Sequence, residues 1–158
     1  GPIMDLAARV LAVAAPDLAP PRSVRGDGEA PRFIGLTGEQ AEKLDGLVEV
    51  VRAELESVGA GNLAVIAADS QANDVEQALE RAGVAFGRPT RRGLDARVTV
   101  VPVGLVKGLE VDGAVVVEPA RILREQSQGV RALYVALTRA TKRVAVVHTE
   151  PLPAALSD

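Results

Sequence analysis

Two short runs of β-branched residues constrain the fold of this chain more than any other feature. Val98 to Val101 and Ala114 to Val117 are almost wholly apolar, and a polar segment with glycines separates them. Continuous apolar runs of this length are typical of strands buried on both faces, which occur mainly in parallel sheets covered by helices on both sides. We therefore predict an α/β fold in which the two runs are adjacent parallel strands.

Other strands and helices alternate along the rest of the chain. Apolar stripes at helical spacing predict helices from Ile3 to Pro16, from the Thr37–Gln40 capping box to Gly59 or Gly61, from Gln71 to Ala82, and over Val130 to Leu137. Short apolar runs predict strands at 32–36, 63–67, 84–87 and 143–147. This alternation is typical of βα units.

The polar segment between the two apolar runs carries candidate ligand-binding residues. Open α/β sheets bind ligands at the carboxyl ends of their strands, where we expect this segment to lie. Glu110 either contacts a ligand or pairs with Lys107 or Arg143. Gly108 either belongs to the site or only supplies a positive φ. Asp112 is as consistent with a cap as with a contact.

A second group of candidate ligand-binding residues lies at the end of the helix that precedes the last strand. Thr138 and Arg139 follow its apolar stripe directly. An arginine at such a position ordinarily interacts favourably with the helix dipole. Thr138 and Tyr134 are predicted to pack and form hydrogen bonds that orient the end of this helix, and not to bind a ligand directly.

Two motifs make the chain similar to the UvrD/Rep-like superfamily 1 helicases. The run Lys107-Gly-Leu-Glu-Val-Asp112, followed by an apolar strand, resembles motif V of that family, and Leu133-Tyr-Val-Ala-Leu-Thr-Arg-Ala140 resembles motif VI. Both motifs in this order, each in a suitable context, are more specific than either alone. The resemblance implies that residues 3–150 form the second RecA-like (P-loop NTPase-type) motor domain: a three-layer α/β domain with a mainly parallel sheet, lacking its own phosphate loop.

The same resemblance implies roles for four residues. In that family the arginine matching Arg139 reaches the γ-phosphate of ATP, and the glutamate matching Glu110 contacts the nucleotide sugar. Arg139 is thus implied as catalytic, and Glu110, Gly108 and Lys107 as nucleotide-binding. ATP would be shared with an N-terminal motor domain that also holds Mg²⁺. Nothing in the present sequence suggests a metal site of its own. A permanently charged, planar guanidinium suits the role because a cleaving phosphoanhydride gathers negative charge.

Three features help to distinguish which branch of this family the chain resembles. The string Pro21-Arg-Ser-Val-Arg25 resembles HelD-type proteins, which are helicase-like ATPases that bind and recycle RNA polymerase. Between Gly87 and Val98 there is no room for the accessory domain that many UvrD-like helicases insert. Pro102 to Val106 replaces the threonine and histidine or glutamine that touch single-stranded DNA in translocating members. The partner is RNA polymerase in a HelD-type factor and single-stranded DNA in a 3′ to 5′ helicase; a docking module without a nucleotide role is the third alternative.

Composition bears on the number of domains, on nucleic-acid binding and on location in the cell. The chain has 158 residues and is 47% hydrophobic, which suits one domain, expected to be a monomer. A net charge of −3 gives no global attraction to nucleic acid, and only Phe33, Phe86 and Tyr134 could stack on bases. The chain contains no cysteine and no apolar run long enough to span a bilayer, so we expect a cytoplasmic location without a membrane partner.

The two ends and one loop complete the predictions. Gly1-Pro2 resembles the scar of a cleaved tag, and the abrupt helix at Ile3 suggests that the chain is cut from a longer protein whose motif IV lies upstream. Residues 15–32 are predicted to be an exposed connector or a partner-binding loop, and 151–158 a frayed tail. His148 has no catalytic partner nearby in sequence. Because no Gly-x-x-x-x-Gly-Lys-Ser/Thr loop is present, we expect the isolated chain to hydrolyse no ATP.

Overall fold

Five parallel strands form one sheet with helices on both faces. The computed structural model describes residues 1–14, 29–42, 44–90 and 94–156. The strands are β1 (Arg32–Gly35), β2 (Leu63–Ala67), β3 (Val98–Pro102), β4 (Val111–Val117) and β5 (Ala140–His148). The helices are α1 (Pro2–Ala14), α2 (Gly38–Glu42), α3 (Asp45–Val58), α4 (Ala72–Arg81), α5 (Pro119–Glu125) and α6 (Gly129–Leu137). The strand order is β1-β5-β4-β2-β3 and every named pairing is parallel, so the predicted fold class is confirmed.

Alternate side chains of the central strand enter two separate cores. Leu63 and Val65 pack with α3 and α4 on one face, whereas Ala64 and Ile66 pack with α1, α5 and α6 on the other. Every residue of β2 is buried, because helices cover the strand from both sides. The domain therefore has the three layers that the sequence predicts.

The prediction that the two apolar runs are adjacent strands is wrong. β2 lies between β3 and β4, and Leu63 aligns with Val98 on one side and with Gly113 on the other. β3 and β4 run in the same direction, so residues 103–110 must return from the carboxyl edge of the sheet to its amino edge. This crossover contributes Val103 and Val106 to the core beneath α1 and α6.

The long helix predicted from the capping box is two helices. α2 ends at Glu42 and α3 begins at Asp45. Leu44 has φ 58° and ψ 22°, and this left-handed conformation cannot continue a right-handed helix. Leu36 lies close against the start of α3, since a Cβ on Gly46 would be only 2.5 Å from Leu36 Cδ2.

Other elements differ from prediction in extent. Only a parallel bridge at Gly87 is present where we predicted a strand at 84–87. The Gly87 N–H donates to the Val98 carbonyl oxygen at 2.8 Å, and the Gly87 carbonyl oxygen accepts from the Val100 N–H at 3.0 Å. β5 is longer than the predicted 143–147, and α5 was not predicted. Its start follows from proline at the first helical position, where a missing N–H costs nothing.

The tail is ordered as far as the structure describes it. Leu156 is buried and packs with α1 in the core, and Leu152 is half-buried against the same core. The prediction of a frayed tail is therefore wrong for residues 152–156, because apolar side chains anchor them. The predicted end of α1 at Pro16, the connector 15–28, residues 91–93 and residues 157–158 lie outside the described residues.

None of the helices in the described part of the chain has the length and apolar character needed to cross a membrane.

The junction between α5 and α6 has room only for glycine at residue 129. A Cβ on Gly129 would overlap the carbonyl group of Leu123, and backbone atoms cannot swing away. We expect Gly129→Ala to lower the free energy of unfolding by about 1–3 kcal/mol, because α6 must shift. Urea unfolding of the chain measures the loss. Gln128→Ala, at the exposed neighbouring position, is the matched control and should change stability by less than about 0.5 kcal/mol; equal stabilities for the two variants would contradict the prediction.

Candidate functional site

The residues of the two motifs meet at the amino edge of the sheet. Val111 of β4 pairs with Ala140 of β5, so Glu110 and Arg139 directly precede partners on neighbouring strands. We predicted a site at the carboxyl end of a strand, which is wrong for Glu110. The crossover has already carried the chain to the amino end of β4 when it reaches this residue.

Arg139 is held against the turn that contains Glu110. Its Nη1 donates to the carbonyl oxygen of Leu109 at 3.3 Å, and its Nε donates to the carbonyl oxygen of Val135 at 3.0 Å. The Val111 N–H donates to the Arg139 carbonyl oxygen at 3.1 Å, which closes the contact between the two motifs. The guanidinium is thus attached to both the end of α6 and the residue before Glu110.

The guanidinium retains unused donors. Arginine has five N–H groups, of which Arg139 uses one on each nitrogen within the described residues. One N–H on Nη1 and one on Nη2 therefore remain available. Because the side chain is only half-buried, these groups can reach an anion outside the domain.

Thr138 orients the arginine as predicted. Its hydroxyl donates to the Val135 carbonyl oxygen at 3.0 Å and accepts from Arg139 Nη2 at 3.1 Å. Tyr134 packs against the core, but its hydroxyl has no hydrogen-bond partner among the described residues. The predicted hydrogen bond from Tyr134 is therefore wrong. Burial raises the pKa of Tyr134, and the nearby positive charge of Arg139 acts in the opposite direction.

The turn 107–110 presents two free charges. Gly108 has φ 86°, so its predicted positive φ is confirmed. Lys107 and Glu110 are exposed, and neither forms a side-chain hydrogen bond or ion pair with any residue that the structure describes. The alternative in which Glu110 pairs with Arg143 is wrong, because Arg143 binds Glu54 instead.

Asp112 and His148 have structural roles. Asp112 Oδ2 accepts from the Asn62 N–H at 3.0 Å, and the Asp112 N–H donates to Asn62 Oδ1 at 3.0 Å. These two hydrogen bonds hold the start of β2 against β4. His148 Nδ1 lies 2.8 Å from the carbonyl oxygen of Glu150, and nothing in this contact suggests catalysis.

The residues at this edge fit part of a nucleotide. The free N–H groups of Arg139 and the ammonium of Lys107 suit phosphate oxygens, and the exposed carboxylate of Glu110 suits sugar hydroxyls. All three side chains are candidates from the sequence, and their binding of a nucleotide stays a prediction. Sequence reasoning missed the Leu109 carbonyl that anchors Arg139, because a backbone acceptor leaves no signal in residue type.

Comparison with solved structures identifies the class of fold. The structure resembles the C-terminal domain of a possible DNA helicase from Lactobacillus plantarum, with a TM-score of 0.69 and 18% identity over 96% of this chain and 88% of that chain. It also resembles the SWI2/SNF2 ATPase core of Sulfolobus solfataricus, with a TM-score of 0.52 and 17% identity over 79% of this chain and 28% of that chain. The chain therefore has the RecA-like α/β fold of helicase motor domains.

A family comparison narrows the class for the segment that carries the site. Residues 97–147 match the model of the UvrD-like helicase C-terminal domain. This segment contains both motifs, so the resemblance to UvrD-like helicases is confirmed there. No curated protein matches the chain.

Proposed function

We propose that this chain is the C-terminal motor domain of an ATP-dependent, helicase-like protein and completes an ATP site formed mainly by an N-terminal motor domain. The observation that carries the proposal is the hydrogen bond between Arg139 and Leu109, which joins the two motifs at one edge of the sheet. Arg139 is half-buried and keeps N–H groups that its hydrogen bonds do not use, and Glu110, the residue after Leu109, is exposed. The match of residues 97–147 to the UvrD-like C-terminal domain supports the same assignment.

Each side chain has a distinct task in this proposal. Arg139 stabilises the negative charge that develops on the transferred phosphoryl group, as an arginine delivered across a cleft does in other nucleotide hydrolases. Glu110 orients the nucleotide through its sugar, and Lys107 and Gly108 form the turn beside the phosphates. Bound ATP, with Mg²⁺ held by the other domain, supplies the phosphoanhydride. Opening of the cleft would withdraw Arg139, so hydrolysis is coupled to domain movement.

We further propose that the whole protein is a HelD-type factor that binds and recycles RNA polymerase. Two observations favour this over a 3′ to 5′ DNA helicase of repair or replication. β3 follows the bridge at Gly87 after a short loop, which leaves no place for a large inserted domain. The crossover also begins with Val103, which is buried, and Gly104, whose N–H donates to Asp69 Oδ1 at 3.0 Å, so this stretch offers no polar side chain to a DNA strand.

ATP turnover by the full-length protein separates these two functions. We expect single-stranded DNA to change the turnover rate by less than about twofold, because the start of the crossover lacks polar contacts to a strand. The protein should instead co-elute with RNA polymerase in gel filtration. The isolated 158-residue chain is the background control and should show no turnover. Strong stimulation by single-stranded DNA without polymerase binding would favour the DNA helicase.

A further inference from the structure

A groove of about 600 Å³ opens between α6, the end of α1 and the crossover. Its apolar lining is formed by Leu11, Val103, Val106, Ala132 and Val135. Leu105 lies in the crossover between two lining residues and is 59% exposed, although most apolar side chains of its size in the described part are covered. A volume of this size accommodates two or three apolar side chains of a ligand.

The charged residues that line the groove are both basic. They are Lys107 and Arg131, and no acidic residue lines the groove, although acidic residues outnumber basic ones in the whole chain. In the described ranges, Lys107 and Arg131 are also the only lysine or arginine side chains without a hydrogen bond or ion pair. Two unpaired cations at the rim of one apolar groove complement a ligand that carries negative charge beside apolar groups.

The surroundings of the groove favour a helical peptide over other anionic ligands. Its walls are helices and a short 3₁₀ turn, so no strand edge is available to pair with an extended peptide. Single-stranded nucleic acid needs exposed aromatic platforms and a continuous basic track. The only aromatic residue in the lining is Tyr134, which is half-buried, and the net charge of −3 opposes a polyanion.

We propose that this groove binds an acidic amphipathic helix of a partner protein. Apolar side chains on one face of that helix fill the groove between α1 and α6, in the manner of helix-in-groove recognition. Aspartate or glutamate residues beside them pair with Lys107 and Arg131. The groove shares Lys107 with the proposed nucleotide site, so the test of the groove is made at Arg131, which lies on α6 and has no role in the proposed nucleotide site.

Synthetic peptides provide the direct test on the 158-residue chain. The probe is an amphipathic helix of about 14 residues, roughly four turns, with a leucine stripe and glutamate elsewhere. Fluorescence anisotropy measures its Kd, and amide chemical shifts of the ¹⁵N-labelled chain locate it. We expect shifts at Val103, Ala132 and Val135. Arg131→Glu should raise the Kd by about threefold to tenfold, and added salt should weaken binding.

A matched control separates the effect of the charge at Arg131 on peptide binding from the effect of the net charge of the chain. Lys142→Glu changes the chain by the same two units, but Lys142 pairs with Asp112 on β4 and does not line the groove. It should leave the Kd unchanged within about 1.5-fold. Leu105→Ser should weaken peptide binding and thereby test the apolar contribution. Because Leu105 is 59% exposed, we expect this variant to fold normally.

Three outcomes would overturn the proposal. The first is equal binding by a peptide in which lysine replaces every glutamate. The second is the absence of shifts at the groove. The third is tighter binding by oligothymidylate, with the same shifts and the same sensitivity to Arg131→Glu, which would make the groove a nucleic-acid site.

Discussion

Replacing Arg139 with alanine in the full-length protein should reduce the rate constant of ATP hydrolysis by about a thousandfold or more. The guanidinium in the proposed site stabilises charge that exists mainly in the transition state, so its loss should lower kcat and leave KM nearly unchanged. Steady-state turnover with varied ATP measures both quantities. The side chain is half-buried, and two of its three hydrogen bonds are made within the end of α6, so the variant should still fold, which circular dichroism can verify.

Two further variants show whether the effect belongs to this position. Arg139→Lys keeps the positive charge but cannot form the three hydrogen bonds that aim the guanidinium at Leu109, Val135 and Thr138, so most of the activity should still be lost. Arg131→Ala removes an arginine from the same helix outside the proposed site and should leave kcat unchanged. Normal turnover by Arg139→Ala would show that the domain has no part in hydrolysis and would favour a docking module.

The sequence predicted those parts of the structure that depend on local pattern. The buried strand β2 and the amphipathic helix α4 follow from apolar runs and periodic stripes, and both have the predicted position. The two motifs could be recognised because their residue types are unusual in combination. Arg139 and the turn 107–110 could therefore be assigned to one site before their contact was known.

The parts that were not predicted depend on contacts distant in sequence. The position of β2 between β3 and β4 depends on how complete helices pack on the sheet. No residue type in 103–110 indicates that this segment crosses over a strand. The site was therefore assigned to the carboxyl edge and lies at the amino edge. The break at Leu44 was missed because a leucine in a left-handed conformation gives no signal in an amphipathic pattern.

A buried carboxylate links three elements on the face of the sheet that α3 and α4 cover, opposite to the face covered by α6. Glu54 of α3 is only 1% exposed. Its Oε1 accepts from Arg32 Nη1 of β1 at 2.8 Å, and its Oε2 accepts from Arg143 Nε of β5 at 2.8 Å. Arg143 also contacts Glu29. The network was not predicted, because an apolar stripe does not show which charged residue beside it will be buried.

Glu54→Ala should lower the free energy of unfolding of the chain by about 3–5 kcal/mol. The reason is that Arg143, with a side chain only 16% exposed, would lose its buried partner and remain charged. Urea denaturation measures the loss. Glu49→Ala is the matched control, because this carboxylate on the same helix is 75% exposed and lies 3.9 Å from Arg52, and it should cost less than about 0.5 kcal/mol.

A double replacement distinguishes the cost of an unpaired charge from the value of the pair itself. Glu54→Met together with Arg143→Met removes both charges and fills their volume with apolar side chains. Such replacements of buried ion pairs are often neutral or stabilising, so the double variant should recover most of the stability lost in Glu54→Ala. If the double variant is as unstable as the single one, the pair itself contributes the stability, and the contacts of Glu54 with both β1 and β5 are then required to hold α3 on the sheet.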